Sequence, residues 1–155
     1  MSNQFSKEFV TKLKWLSKTG YALAVLSMLM IVYLKSIFAI GIFAILVQVL
    51  SGLLMIWARI KFGRRSFHVS ADPTEGGLIT SGPYNYLRHP IYAAVLYFIW
   101  AGVLSHLSLL NALLGLLVTI GLFIRIFAEE RLVAERYPEY MEYSKRTKRI
   151  IPFVF

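Results

Sequence analysis

The chain has 155 residues, with a hydrophobic fraction of 57% and a charged fraction of 16%, against about 45–50% and about 25% in soluble domains. That length suits one domain, and the balance excludes a disordered chain and leaves too few polar residues to coat a water-soluble globule. The formal charge of +9 would suggest nucleic acid in a soluble protein, but here the charges flank apolar stretches, and the absence of cysteine excludes disulfides and thiolate chemistry.

Residues 1–18 come first. On a helical wheel Phe5, Phe9, Leu13 and Leu16 fall within about 80° of one another, with Lys7, Lys14 and Lys18 opposite. This predicts an amphipathic helix lying on the inner leaflet. No short apolar run there ends in a small-residue cleavage site, so the segment does not read as a cleavable signal peptide. Thr19 to Leu34 is uncharged and becomes a first span by borrowing Trp15 and Leu16. Lys35-Ser36 leaves almost no loop before the second span, Ser36 to Ala58, whose length of about 34 Å exceeds the hydrocarbon core of a bilayer. A cytoplasmic loop over 59–89 follows. Pro90 to Ile124 then contains no Asp, Glu, Lys or Arg. It is too long for one crossing and predicts two spans turning at Ser105-His106-Leu107-Ser108.

The tail over 129–155 continues the last helix to Arg136, breaks at Pro138, and forms a short helix bearing Tyr140 and Tyr143. Arg149-Ile150-Ile151-Pro152-Phe153 then turns apolar again, as if to cover the cytoplasmic mouth. The predicted fold is a single all-α integral membrane domain over 1–155. It has four transmembrane helices in two hairpins (19–58 and 90–128), an N-terminal interfacial helix and a C-terminal cytoplasmic helix. Positive charge supports this layout. Lys7, Lys12, Lys14 and Lys18, then Arg59, Lys61, Arg64, Arg65 and Arg88, then six basic residues from Arg131 to Arg149 all fall on one side, and Lys35 alone on the other. By the positive-inside rule both termini and the middle loop face the cytoplasm, of a bacterial inner membrane or an endoplasmic reticulum.

Chemistry is expected in that middle loop and in the last span. The loop ends Gly76-Gly77-Leu78-Ile79-Thr80-Ser81-Gly82-Pro83-Tyr84-Asn85-Tyr86-Leu87-Arg88-His89-Pro90-Ile91-Tyr92. Its glycines allow close backbone approach to a ligand, and Pro90 suits the first turn of a helix. Its tyrosines, Arg88 and His89 offer stacking faces and donors, although an interfacial aromatic belt has the same composition. Arg125 lies among apolar residues, where an arginine faces a cavity or a partner, or else snorkels to headgroups. Glu129 is one turn later on the same face, and Glu130 points off it. There is no G-x-G-x-x-G or P-loop sequence. His68, His89 and His106 lack metal-ligand spacing, so no metal is expected, and because the basic charges flank apolar stretches no nucleic-acid partner is expected either.

Arg88-His89-Pro90-Ile91-Tyr92 after Gly82-Pro83-Tyr84, with Glu129-Glu130 one hairpin later and an aromatic, basic, Pro-Phe tail, resembles the isoprenylcysteine carboxyl methyltransferase family. The related phospholipid N-methyltransferases look similar over the same stretch, roughly Gly76 to Phe153. The resemblance implies a membrane enzyme that moves a methyl group from S-adenosylmethionine, bound at the cytoplasmic face, to a lipidic or small hydrophobic acceptor entering from the lipid bilayer. Carried over by motif, Gly76, Gly77, Leu78, Ile79, Tyr84, His89, Pro90, Ile91, Tyr92 and Glu129 would line the cofactor site. Arg125 would be the catalytic residue that holds an acceptor carboxylate. Ala94, where the family often has glycine, and Tyr137-Pro138, in place of Phe-Gly, depart from the pattern. Two other classes share parts of it: an NADPH-dependent sterol-type reductase, which carries a similar Arg-His-Pro-x-Tyr element, and a non-catalytic membrane scaffold.

Overall fold

The computed structural model describes residues 7–63 and 77–154. These form five α-helices: α1 (Lys7–Tyr33), α2 (Ile42–Phe62), α3 (Pro90–Ser105), α4 (Leu109–Arg136) and α5 (Tyr140–Arg146), with a short 3-10 turn at Gly82–Asn85. The protein is all-helical. Three helices, α1, α2 and α4, are long and apolar enough to cross a bilayer, as a multi-pass membrane protein requires, whereas α3 is apolar but shorter, at 16 residues or about 24 Å.

Two boundaries differ from the sequence expectation. Residues 7–18 do not form a separate interfacial helix; they run without a break into the first span as one helix of 27 residues. No proline interrupts this stretch, and Gly20 is retained inside the helix by packing. The second span begins at Ile42, not Ser36, because Gly41 has φ +90, outside the helical region. The intervening connection is held by Gln48. Its side chain accepts from Ala39 N at 2.9 Å and donates to the carbonyls of Ile37 at 2.7 Å and Phe98 at 3.0 Å. A buried amide on α2 thus satisfies backbone groups that would otherwise face lipid. The expected turn at 105–108 is present between α3 and α4. There Ser108 caps α4 by accepting from Asn111 N at 3.1 Å.

The first and fourth helices pair, enclosing the second and third in the chain order. α1 packs most extensively along α4, and α2 along α3. The buried residues of α1 are Leu13, Ser17, Gly20, Ala24, Ser27 and Ile31, spaced alternately by four and three, a single stripe made largely of small side chains. It meets Gly121 on α4, where the two backbones nearly touch: a Cβ placed on Gly121 would lie 2.5 Å from the Gly20 carbonyl oxygen. On α2 the buried residues are Gln48, Ser51 and Ala58, while Phe43, Leu46, Leu50 and Leu53 are exposed. That polar-inward, apolar-outward pattern is the one a lipid solvent selects. Between the layers Ile99 and Val103 of α3 join Val118, Leu122 and Ile126 of α4 in the main apolar core. Trp100 adds a hydrogen bond from its indole to Thr119 at 3.0 Å.

Candidate active site

The site gathers at one end of the bundle, where α4 extends beyond the start of α3. Pro90 opens α3 as the first-turn proline, leaving Arg88 and His89 as the last extended residues before it. Their backbone N–H groups are taken by the chain after α5: Arg88 N donates to Lys148 O at 2.6 Å and His89 N to Arg149 O at 3.0 Å. Lys148 N in turn donates to Tyr86 O at 3.0 Å, completing a parallel bridge between Leu87 and Lys148. The tail therefore returns onto the Arg-His-Pro-x-Tyr element, with Ile150 buried and Tyr97 donating to its carbonyl.

On α4, Arg125 and Glu129 stand one turn apart, and Arg125 is only 4% exposed. Arg125 Nε lies 2.9 Å from Glu129 Oε1 and 2.5 Å from the Tyr92 hydroxyl, which itself donates to Glu129 Oε1 at 2.6 Å. The guanidinium also lies 4.8 Å from the ring centre of Tyr21 on α1, a cation–π contact that ties the N-terminal helix to the site. A buried arginine is costly without such partners. Here the contacts with Glu129, Tyr92 and Tyr21 turn it inward.

His89 connects this triad to a second carboxylate. Its Nε2 is 3.3 Å from Glu130 Oε1 and its Nδ1 is 3.9 Å from Glu129 Oε2, with its ring stacked on Tyr92 at 5.7 Å. Glu130 also meets Arg88 at 3.3 Å and Arg149 at 3.0 Å. An ionised carboxylate only accepts, so Nε2 carries the proton in the Glu130 contact, and Nδ1 is turned toward Glu129. The 3.9 Å between Nδ1 and Glu129 Oε2 is too long for a direct hydrogen bond, and a polar group of a bound molecule can reach both atoms.

A cleft of about 570 Å³ lies between the chain at Leu78 and Thr80 and residues Glu139, Glu142, Tyr143, Lys145 and Arg146 at α5, and none of His89, Tyr92, Arg125, Glu129 and Glu130 lines it. Tyr143 connects cleft and site, donating to the Tyr84 carbonyl at 2.7 Å. Burial pushes the Tyr143 phenol up to about 12 and raises Tyr84 and Tyr140 as well. Tyr84 packs on Phe62 at 5.5 Å, and its buried hydroxyl has no hydrogen-bond partner among the described residues.

The structure thus brings Tyr92, Arg125 and Glu129 into one hydrogen-bonded group, with His89 stacked on Tyr92 and bonded to the neighbouring Glu130. Leu78 stands at the cleft, Gly77 and Ile79 flank it in sequence, Tyr84 lies buried behind Tyr143, and Pro90 and Ile91 begin α3. Gly76, His68, Arg64, Arg65 and Phe5 fall outside the described residues. Glu130 does leave the Arg125 face, as a wheel requires, but it turns onto Arg88, His89 and Arg149 and becomes the most heavily ion-paired carboxylate of the site. Sequence reasoning gave it no role, nor one to Arg149 or Tyr21. The doubled Glu129-Glu130 was the available signal for the first. For the other two, only chain return and helix pairing bring them near.

The candidate site is thus a buried arginine–carboxylate pair beside a histidine at one end of an apolar helical bundle. Residues 36–140 match the sequence profile described as phospholipid methyltransferase, and the chain belongs to this family, whose methyltransferases use S-adenosylmethionine. The chain is also 34% identical over 76 residues to the cobalt-zinc-cadmium resistance protein CzcN of Cupriavidus metallidurans, covering 48% of this chain and 35% of that one. It is 30% identical over 76 residues to the nickel-cobalt-cadmium resistance protein NccN of Alcaligenes xylosoxydans xylosoxydans, covering 48% and 36%. The matched stretch spans about a third of the length of these curated relatives. No solved structure matches the chain. The family match thus falls on the phospholipid methyltransferase side of the resemblance.

Proposed function

We propose that this protein transfers a methyl group from S-adenosylmethionine to a lipidic or small hydrophobic acceptor, with a carboxylate favoured, at the cytoplasmic face of its membrane. The observation that carries the reading is the cluster in which Arg125 and Glu129 bond Tyr92 while Glu130 bonds His89, which ties the last long helix to the Arg-His-Pro-x-Tyr turn inside the family-matched stretch. The residues fit such a cofactor. The Tyr84 hydroxyl, without a hydrogen-bond partner among the described residues, and the polar atoms that His89 and Glu129 turn toward each other suit polar groups of a ligand, and the carboxylates suit a cationic sulfonium. Leu78 and the cleft beside α5 extend the surface available to it.

When bound, the cofactor supplies an already activated methyl, so the protein has chiefly to align the acceptor and exclude water. Arg125 supplies a buried positive charge for an acceptor carboxylate, and its contacts with Tyr92, Glu129 and the Tyr21 ring hold the guanidinium plane in place. A carboxylate oxygen needs no base, since it attacks with a lone pair and carries no proton to lose. The cytoplasmic assignment follows from the basic residues collected at the site end of the sequence.

Equilibrium binding of S-adenosylmethionine to the detergent-purified chain tests the site. Glu129→Ala and His89→Ala are each expected to abolish binding while helical content persists. Unchanged affinity in both refutes the proposal. Transfer of labelled methyl groups into a panel of lipid extracts then identifies the acceptor class, and Arg125→Ala should remove transfer.

A further inference from the structure

The segment after α5 does more than cover the site. Thr147 caps α5 by donating to the Tyr143 carbonyl at 2.7 Å, and from there residues 148–150 run alongside 86–89. The N–H groups of Arg88 and His89 precede a proline-initiated helix and have no partner within it; the strap supplies their acceptors. Phe153 then closes against Tyr86 at 6.4 Å. With its backbone anchored in this way, Arg149 projects to Glu130 through three contacts: Nε to Oε1 at 3.2 Å, Nε to Oε2 at 3.1 Å and Nη2 to Oε2 at 3.0 Å. Both carboxylate oxygens are engaged, a fork that lysine cannot reproduce. Glu130 is in turn the partner of His89 Nε2.

We propose that Arg149 is a positioning residue: from the C-terminal strap it orients Glu130, which fixes the His89 imidazole with its proton on Nε2 and its Nδ1 presented to the ligand beside Glu129. The inference rests on the functional reading above and deepens it. A residue far along the chain, with no place in the Arg-His-Pro-x-Tyr or Glu-Glu elements, becomes part of cofactor recognition. Its role differs from that of the strap's apolar residues. Ile150 and Phe153 hold the strap down, while Arg149 transmits that docking to the histidine.

The test uses the full chain in detergent, with S-adenosylmethionine affinity, thermal midpoint and the His89 imidazole signal in isotope-labelled NMR as readouts, the last recorded without cofactor and assigned with His89→Asn. Arg149→Ala and Glu130→Gln should each weaken binding by about tenfold or more, the scale of a lost charge-assisted hydrogen bond. The double variant should be no worse than the weaker-binding single, because both act on one imidazole. Arg149→Lys should restore the thermal midpoint more fully than the affinity. The histidine signal should report the Nε2–H tautomer in the parent chain and a mixture in Arg149→Ala. Ile150→Ala serves as the comparison, lowering the midpoint with a smaller loss of affinity at temperatures where it stays folded. Additive losses in the double variant overturn the inference, as does parent affinity and an unchanged tautomer in a folded Arg149→Ala chain. A parent chain that binds no cofactor overturns the functional reading itself, and is distinguished from the other failures by appearing before any substitution is made.

Discussion

Gly121→Ala is a one-methyl perturbation with a large expected consequence. The added Cβ would stand 2.5 Å from the Gly20 carbonyl oxygen, 2.9 Å from the Ala24 nitrogen and 3.1 Å from the Ala24 Cβ. Two of these three atoms are backbone of α1, so no rotamer change relieves the clash. α1 and α4 must separate by roughly 1 Å, an overpacking that costs about 1–3 kcal/mol. The expected fall in thermal midpoint is about 3–10 °C for a chain of this size. The effect reaches the site, because Tyr21 follows Gly20 and its ring lies 4.8 Å from the Arg125 guanidinium, one turn beyond Gly121. Displacing α1 withdraws that ring, and cofactor affinity should fall along with stability. Gly52→Ala is the control, since nothing lies within 4 Å of its added Cβ. It should be neutral or stabilising by about 0.5–1 kcal/mol. Thermal unfolding of the three chains in one detergent, with affinity measured on each, decides the matter. A Gly121→Ala chain as stable as Gly52→Ala would refute the close backbone packing of α1 on α4.

Two further outcomes follow from the described contacts. Gln48→Leu removes the partners of Ala39 N and of the Ile37 and Phe98 carbonyls. It should destabilise the protein by about 1–3 kcal/mol without lowering the affinity of the folded fraction; hydrogen exchange confined to residues 37–41 would locate the loss. The Tyr143 phenol, raised by burial to about 12, should titrate after an unfolded tyrosine, at about 10. A raised acid retains its proton in the folded chain. The stability it contributes is therefore complete below about 10 and is lost as pH rises through about 12. Phenolate absorbance of the parent minus Tyr143→Phe should show this late-titrating group, and a difference curve centred near the ordinary tyrosine value would contradict its burial.

Much of the architecture was legible in the chain. Long charge-free stretches separated by basic clusters mark apolar helices, and the Pro90 boundary, the turn at 105–108 and the break near Pro138 all lie at helix ends in the structure. The Arg125–Glu129 pair was legible for a related reason: residues four apart on one helix must share a face. Other features were not. That residues 7–18 continue into the span depends on α1 finding α4 along a stripe of Ser17, Gly20, Ala24 and Ser27, which a wheel for an isolated interfacial helix does not reveal. The start of α2 at Ile42 depends on a glutamine whose hydrogen bonds reach across to α3.

Local sequence determined the helix ends at Pro90, at 105–108 and near Pro138, which stretches prefer lipid, and which side chains share a turn, because these follow from proline geometry, transfer free energy and a period of 3.6 residues. The tertiary structure alone decided that α1 lies against α4, that Tyr21 covers Arg125, and that Arg149 returns to meet Glu130 beside His89. In a bilayer all helices are similarly apolar outside. Partner choice therefore falls to small-residue fit and to the few polar groups that must find one another, and no local pattern encodes either.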